Sequence, residues 1–244
     1  MTWFLAALFL VAVLAGGTAA IAGFGIGSLL TPLLASRLGM TLAIAAVAIP
    51  HALATALRCW RLRGSIDWAL MRGFGLLSAA GGLAGALLYT RFSNDTLTVV
   101  LGVLLIATSI AGFTNWSRRI HLNPRFAPHA LGFASGLFGG VAGNQGGLRA
   151  AALLTFSLTP LTFVATSTAT GLLVDAVRLP VYLWRSSAAL VELGYPIAIA
   201  SAGVVMGTLA GERMLVGLSA DRFRTIVSVL IGLLGLWLLL QQMS

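Results

Sequence analysis

The stretch GNQGGLRAAA, Gly143–Ala152, sits inside one of the most apolar parts of a 244-residue chain. Three of the six residues from Gly143 to Leu148 are glycine, and Asn144, Gln145 and Arg149 are polar. Apolar runs flank it at 129–142 and 147–158. A helix that crosses a bilayer needs about 20 residues, and neither run is that long. Glycines and amides between two short apolar pieces predict a helix broken, or turned back on itself, at membrane depth. A second cluster, GFGIG at 23–27, lies between apolar runs at 3–22 and 26–36 and reads the same way.

The rest of the chain agrees with a lipid setting. It is 59% hydrophobic and 9% charged, with a mean hydropathy of +0.99. Soluble domains carry about 25% charged residues, so this composition cannot coat a water-facing surface. The expected class is an all-α integral membrane protein, because a lipid-exposed segment must satisfy its own backbone hydrogen bonds. Further apolar runs fall at 41–57, 70–90, 96–114, 161–184, 194–211 and 224–240. No long linker interrupts them, which predicts a single membrane domain over 1–244. The first run has no Lys or Arg before it, so a retained first span is expected rather than a cleaved signal.

The two halves resemble each other. Gly23 and Gly143 are 120 residues apart, as are Gly27 and Gly147, and Arg58 and Arg178. GGLAG at 81–85 matches MGTLAG at 206–211, and Gly85 to Asp95 repeats as Gly211 to Asp221. The expected organisation is a first repeat over 1–115, a connecting loop at 116–128 and a second repeat over 129–244. Paired interrupted helices in two repeats point to a secondary transporter whose site lies at the breaks.

All 15 basic residues are arginine, and the net charge is +9. Scattered through short loops, they suit positive-inside topology and lipid headgroups rather than nucleic acid. In the first half Arg58, Arg61, Arg63 and Arg72 crowd the earlier loop and Arg91 stands alone in the later one. In the second half the weight moves to the later loop, with Arg213, Arg222 and Arg224 against Arg178 and Arg185. Equivalent loops on opposite sides predict inverted halves, each a broken or re-entrant helix followed by three transmembrane helices. The loop between the halves is then cytoplasmic.

Glycine lets a backbone approach a ligand closely, and a helix that starts at a break directs free N–H groups and a positive dipole end at it. Gly25 and Gly27, and Gly146 and Gly147, are therefore candidates for an anion site, with Asn144 and Gln145 beside them. The same glycines also suit close helix packing. Arg149 is a charge at membrane depth, functional by default. Thr166, Ser167 and Thr168 offer hydroxyls at the same level, for substrate or for their own helix. His51, Thr55 and Arg58 share one helix face at i, i+4 and i+7, and Asp175 and Arg178 can pair at i, i+3. His51, Asp175, Arg178 and Arg58 are thus candidates for proton coupling, with a structural ion pair as the plain alternative. No Ser/His/Asp set, H-E-x-x-H motif or cluster of metal ligands is present, and the lone Cys59 forbids an intrachain disulfide. The chain reads as a non-enzyme with no cofactor and no metal.

GFGIGSLLTPLL at 23–34, GLFGGVAGNQGGLRAAALL at 136–154 and FVATSTATGLLVDAVRLPVYL at 163–183 resemble the TauE/SafE family, the sulfite exporter or TSUP permeases, over nearly the whole chain. Asn144 and Gln145 stand where the family has smaller residues, and Ala152 where it has proline. The resemblance implies an inner-membrane, multi-pass permease for small sulfur-containing anions such as sulfite or C2 sulfonates. Transport is expected outward and coupled to ions, protons among them; a homodimer is compatible with it. An anion channel and a membrane scaffold for a sulfur-metabolism enzyme are the competing expectations.

Overall fold

The computed structural model describes residues 2–114, 127–143, 146–153, 156, 158–214 and 220–242. Every regular element among them is helical. In chain order they are α1 (Thr2–Ala22), α2 (Ile26–Leu38), α3 (Met40–Leu62), a 3-10 turn (Arg63–Ser65), α4 (Trp68–Leu70), a π turn (Met71–Gly75) and α5 (Leu76–Leu88). After a 3-10 turn (Tyr89–Arg91) come α6 (Asn94–Thr114), α7 (Ala127–Ala142), α8 (Gly146–Leu153), α9 (Pro160–Glu192), α10 (Gly194–Met214) and α11 (Ala220–Gln241). Among the described residues, four segments are long and apolar enough to cross a membrane: Trp3–Ile21, Met40–Ser65, Trp68–Arg91 and Gly194–Gly211.

The helix ends follow local chemistry. The Gly39 backbone, at φ 76°, stops α2. The Thr159 hydroxyl accepts from the Thr162 N–H at 3.2 Å, and Pro160 follows in the first turn of α9, where its missing N–H costs nothing. Asp67 Oδ1 accepts from the Leu70 N–H at 2.9 Å and so caps α4. Two expected runs change length. The piece after the second break is helical over Gly146–Leu153, eight residues. α9 runs on past 184 to Glu192, with Ser186 out of helical geometry at φ −129° and ψ 20°.

Glycines set the closest helix contacts. Gly16 of α1 lies against the Val204 carbonyl of α10, and Gly207 of α10 lies against the Val13 carbonyl of α1. Gly136 of α7 meets the Ser78 carbonyl of α5, and Gly81 of α5 meets the Phe133 carbonyl of α7. The second set repeats the first, with 16 and 13 advanced by 120 to 136 and 133, and 78 and 81 advanced by 126 to 204 and 207. In both sets the paired helices advance in the same direction. α6 and α11 run opposite ways: the Ser109 hydroxyl donates to the Ser228 carbonyl at 2.7 Å, while Gly102 faces Gly235. α3 and α9 also cross in opposite directions, with His51 beside Asp175 and Asp67, beyond the end of α3, beside Thr166.

A Cβ on Gly136 would press on backbone, which cannot swing aside. Gly136→Ala is expected to cost about 1–3 kcal/mol of stability by overpacking, read as a lower thermal unfolding midpoint in detergent. Gly194→Ala, where a Cβ meets nothing within 4 Å, is the control expected to melt like wild type.

The polarity of the surface is that of a protein in lipid. Trp60, Trp68, Trp184 and many leucines and valines face outward, whereas Arg58, Arg149, Arg178 and Asp175 are each 2% exposed or less. Such charges inside an apolar shell mark the interior as the place to seek function.

Candidate functional site

The first break follows Ala22. Gly23 has φ 77° and Gly25 φ 135°, a region that residues with a Cβ avoid. The second follows Ala142, where Gly143 repeats the turn at φ 69°. The breaks meet. Phe24 from the first lies against Gly146 at the start of α8, and Thr31 Oγ1 of α2 lies against Gly143. Gly25 and Gly27 flank the start of α2, whose first turn has no side-chain cap. Its leading N–H groups are therefore free of helical partners and carry the positive end of the helix dipole. Gly146 and Gly147 open α8. Asn144 and Gln145 lie outside the described residues.

Each break also has a negative side, the carbonyl end of the helix that precedes it. Arginine covers both. The Arg58 guanidinium donates to the Ala19 carbonyl of α1, and Arg178 Nη1 donates to the Gly139 carbonyl of α7. Ala19 to Gly139 and Arg58 to Arg178 are both steps of 120, so the two caps are one device used twice. A cation at a helix C-terminus offsets the dipole there.

Arg149 connects the breaks. It projects from α8, after the second break, yet its Nε donates to Ser167 Oγ of α9 at 3.0 Å. Ser167 Oγ in turn lies 3.4 Å from the Gly23 carbonyl of the first break. Arg149 is 1% exposed, and its Nη1 has no hydrogen-bond partner among the described residues. Buried Ser28 Oγ, Thr31 Oγ1 and Thr168 Oγ1 are likewise without partners there. Buried polar atoms are normally satisfied, so these atoms stand out, and Thr31 Oγ1 among them lies 3.5 Å from a Cβ built on Gly143. Thr166 departs from this set. Its hydroxyl accepts from the Asp67 N–H at 3.0 Å and ties α9 to the turn before α4.

The coupling candidates form a second cluster across α3 and α9. Asp175 Oδ2 lies 2.6 Å from His51 Nδ1 and accepts from the Thr55 hydroxyl at 3.0 Å. Asp175 Oδ1 accepts from Arg178 Nε at 2.9 Å and lies 2.8 Å from Arg178 Nη2. One carboxylate is thus held by three side chains on two helices. A His–Asp contact of this kind can hold one proton between two bases. Arg58 is not part of it and belongs with the helix caps.

Several residues of the site escape a reading of the sequence. Ser28 and Thr31 carried a signal, two hydroxyls directly after a glycine break. Tyr182 carried little: its hydroxyl donates to the Gly140 carbonyl at 2.5 Å, and its ring packs on Tyr89 with centroids 4.8 Å apart.

The family model described as sulfite exporter TauE/SafE matches residues 8–238. No curated protein and no solved structure gives a significant match.

Proposed function

The chain belongs to the sulfite exporter TauE/SafE family, a family of membrane transporters, and we propose that it is a permease that carries small sulfur-containing anions out across the inner membrane. The reading takes sulfite or a C2 sulfonate such as sulfoacetate as substrate. The observation that carries it is Arg149, buried between two glycine breaks with a nitrogen that has no partner among the described residues. An oxyanion fits such a place because it accepts hydrogen bonds at several points and donates few.

In this reading the anion is held by the free N–H groups of Gly25–Gly27 and Gly146–Gly147, by Asn144 and Gln145, and by Arg149. Thr168 and Ser167 add hydroxyls, and Thr166 positions α9. The chain is multi-pass, with repeats over 1–115 and 129–244 joined by 116–128. Opposite crossing of the equivalent helices α3 and α9, and of α6 and α11, supports halves inverted about an axis in the membrane plane. Rocking of the halves about the breaks exposes the site to either side in turn. The His51–Asp175 pair, placed where α3 meets α9, couples a proton to that motion, and Arg178 holds the Asp175 carboxylate in place.

The test uses purified protein in liposomes loaded with sulfite, thiosulfate or sulfoacetate. Efflux is expected to saturate with at least one of them, to change with an imposed pH gradient, and to be lost in Gln145→Ala. Linear, unsaturable flux would mean a channel, and no flux of any sulfur anion would remove the substrate class. Flux undiminished in Gln145→Ala would move the site away from the second break.

A further inference from the structure

Positions 51 and 171 are 120 residues apart and equivalent in the internal repeat, yet they carry opposite solutions. At 51 the histidine reaches across to Asp175 at 2.6 Å. At 171 there is no side chain, and the space holds the Arg149 guanidinium, whose own equivalent in the first half is Leu29. A Cβ built on Gly171 would lie 3.1 Å from Arg149 Nη1, 3.4 Å from Nη2 and 3.5 Å from Cζ. All three atoms at the far end of the side chain approach the one glycine, so the guanidinium rests against the α9 backbone there. Its near end is tied by the Nε–Ser167 bond at 3.0 Å.

We propose that Gly171 is a positioning residue, whose missing side chain sets the angle at which Arg149 presents its open nitrogen to the anion. This rests on the anion site at the breaks and names what orients the buried Arg149 charge that connects them. A methyl group at 171 cannot be met by moving Nε, which Ser167 holds. The guanidinium must turn about that bond by a few tenths of an ångström at Nη1. An arginine fork recognises an oxyanion through fixed directions, so a small turn weakens binding without removing the charge. The backbone at 171 is helical, and alanine favours helix over glycine. The same substitution is therefore expected to leave folding intact, which separates this role from a merely structural one.

The experiment is equilibrium binding of radiolabelled sulfite to the purified full chain in detergent, with thermal unfolding in parallel. Gly171→Ala is expected to weaken sulfite binding about tenfold, the size of one loosened charge-assisted hydrogen bond, while melting no lower than wild type. In an Arg149→Lys background, where a compact ammonium replaces the fork, Gly171→Ala is expected to have no further effect. Gly171→Ser, with a Cβ in the same place, is expected to repeat the weakening. Unchanged binding in both glycine variants overturns the proposal. So does an equal loss in the Arg149→Lys background, which would mean that 171 acts elsewhere. Absence of sulfite binding by wild type removes the anion site itself, and the positioning role falls with it.

Discussion

Arg149→Met is expected to lower kcat/KM for sulfite efflux roughly 10²- to 10³-fold, the usual cost of deleting one preorganised donor from a water-excluded site. Methionine keeps much of the stem and the packing while removing the charge. The buried guanidinium donates to Ser167 at 3.0 Å, and its Nη1 has no partner among the described residues. A charge taken out of water with few partners costs stability. Its loss is therefore expected to hold or raise the unfolding midpoint while transport collapses. Opposite movement of the two quantities is the signature of a binding residue. Arg149→Lys should fall between, since it restores charge without the planar fork. Proteoliposome efflux and thermal unfolding read both effects. Efflux by Arg149→Met within about twofold of wild type, less than 1 kcal/mol on the kinetic scale, would place the substrate elsewhere.

Asp175→Ala is expected to show the reverse order, a stability loss first. The carboxylate accepts from Thr55 and Arg178 and lies 2.6 Å from His51 Nδ1. Its removal leaves the Arg178 guanidinium buried without its anion, and the His51 and Thr55 side chains lose a partner. Breaking a buried ion pair from one side costs about 3–5 kcal/mol. Equilibrium unfolding in mixed micelles measures it. Asp175→Asn, which keeps the shape and one acceptor oxygen, should lose less. Arg178→Met is not simply the mirror experiment, because Arg178 also covers the Gly139 carbonyl at the end of α7. It should release that helix end as well, and so reduce transport at the second break beyond its effect on stability. A stability loss for Asp175→Ala below about 1 kcal/mol, the range of exposed pairs, would mean that the cluster is open to water.

The Asp175–Arg178 pair shows where sequence reading succeeds and where it stops. Two residues at i, i+3 on a helix must share a face, so their contact follows from spacing alone. The contact from Asp175 to His51 joins residues 124 positions apart, and no local rule brings α3 against α9. Arg58 and Arg178 are visibly equivalent, but only the fold turns them toward the carbonyls of Ala19 and Gly139. Thr166, next in sequence to Ser167, is turned by the helix to the Asp67 backbone instead of the breaks. Thr31, left out of the sequence-level site, is brought by α2 against Gly143 of the second break.

The all-helical character and the two glycine breaks were legible in composition and order, as was the 120-residue spacing of Gly23, Gly27 and Arg58 from Gly143, Gly147 and Arg178. Each depends on neighbours along the chain: a backbone in lipid must bond to itself, and glycine at positive φ interrupts it wherever it falls. The site depends on distance through space. Arg149 belongs to the second break by sequence, but its guanidinium is held by Ser167 at the first, over the gap left by Gly171. Only tertiary packing decides that, because a side chain some ångströms long finds its partners among whichever helices the fold sets beside it.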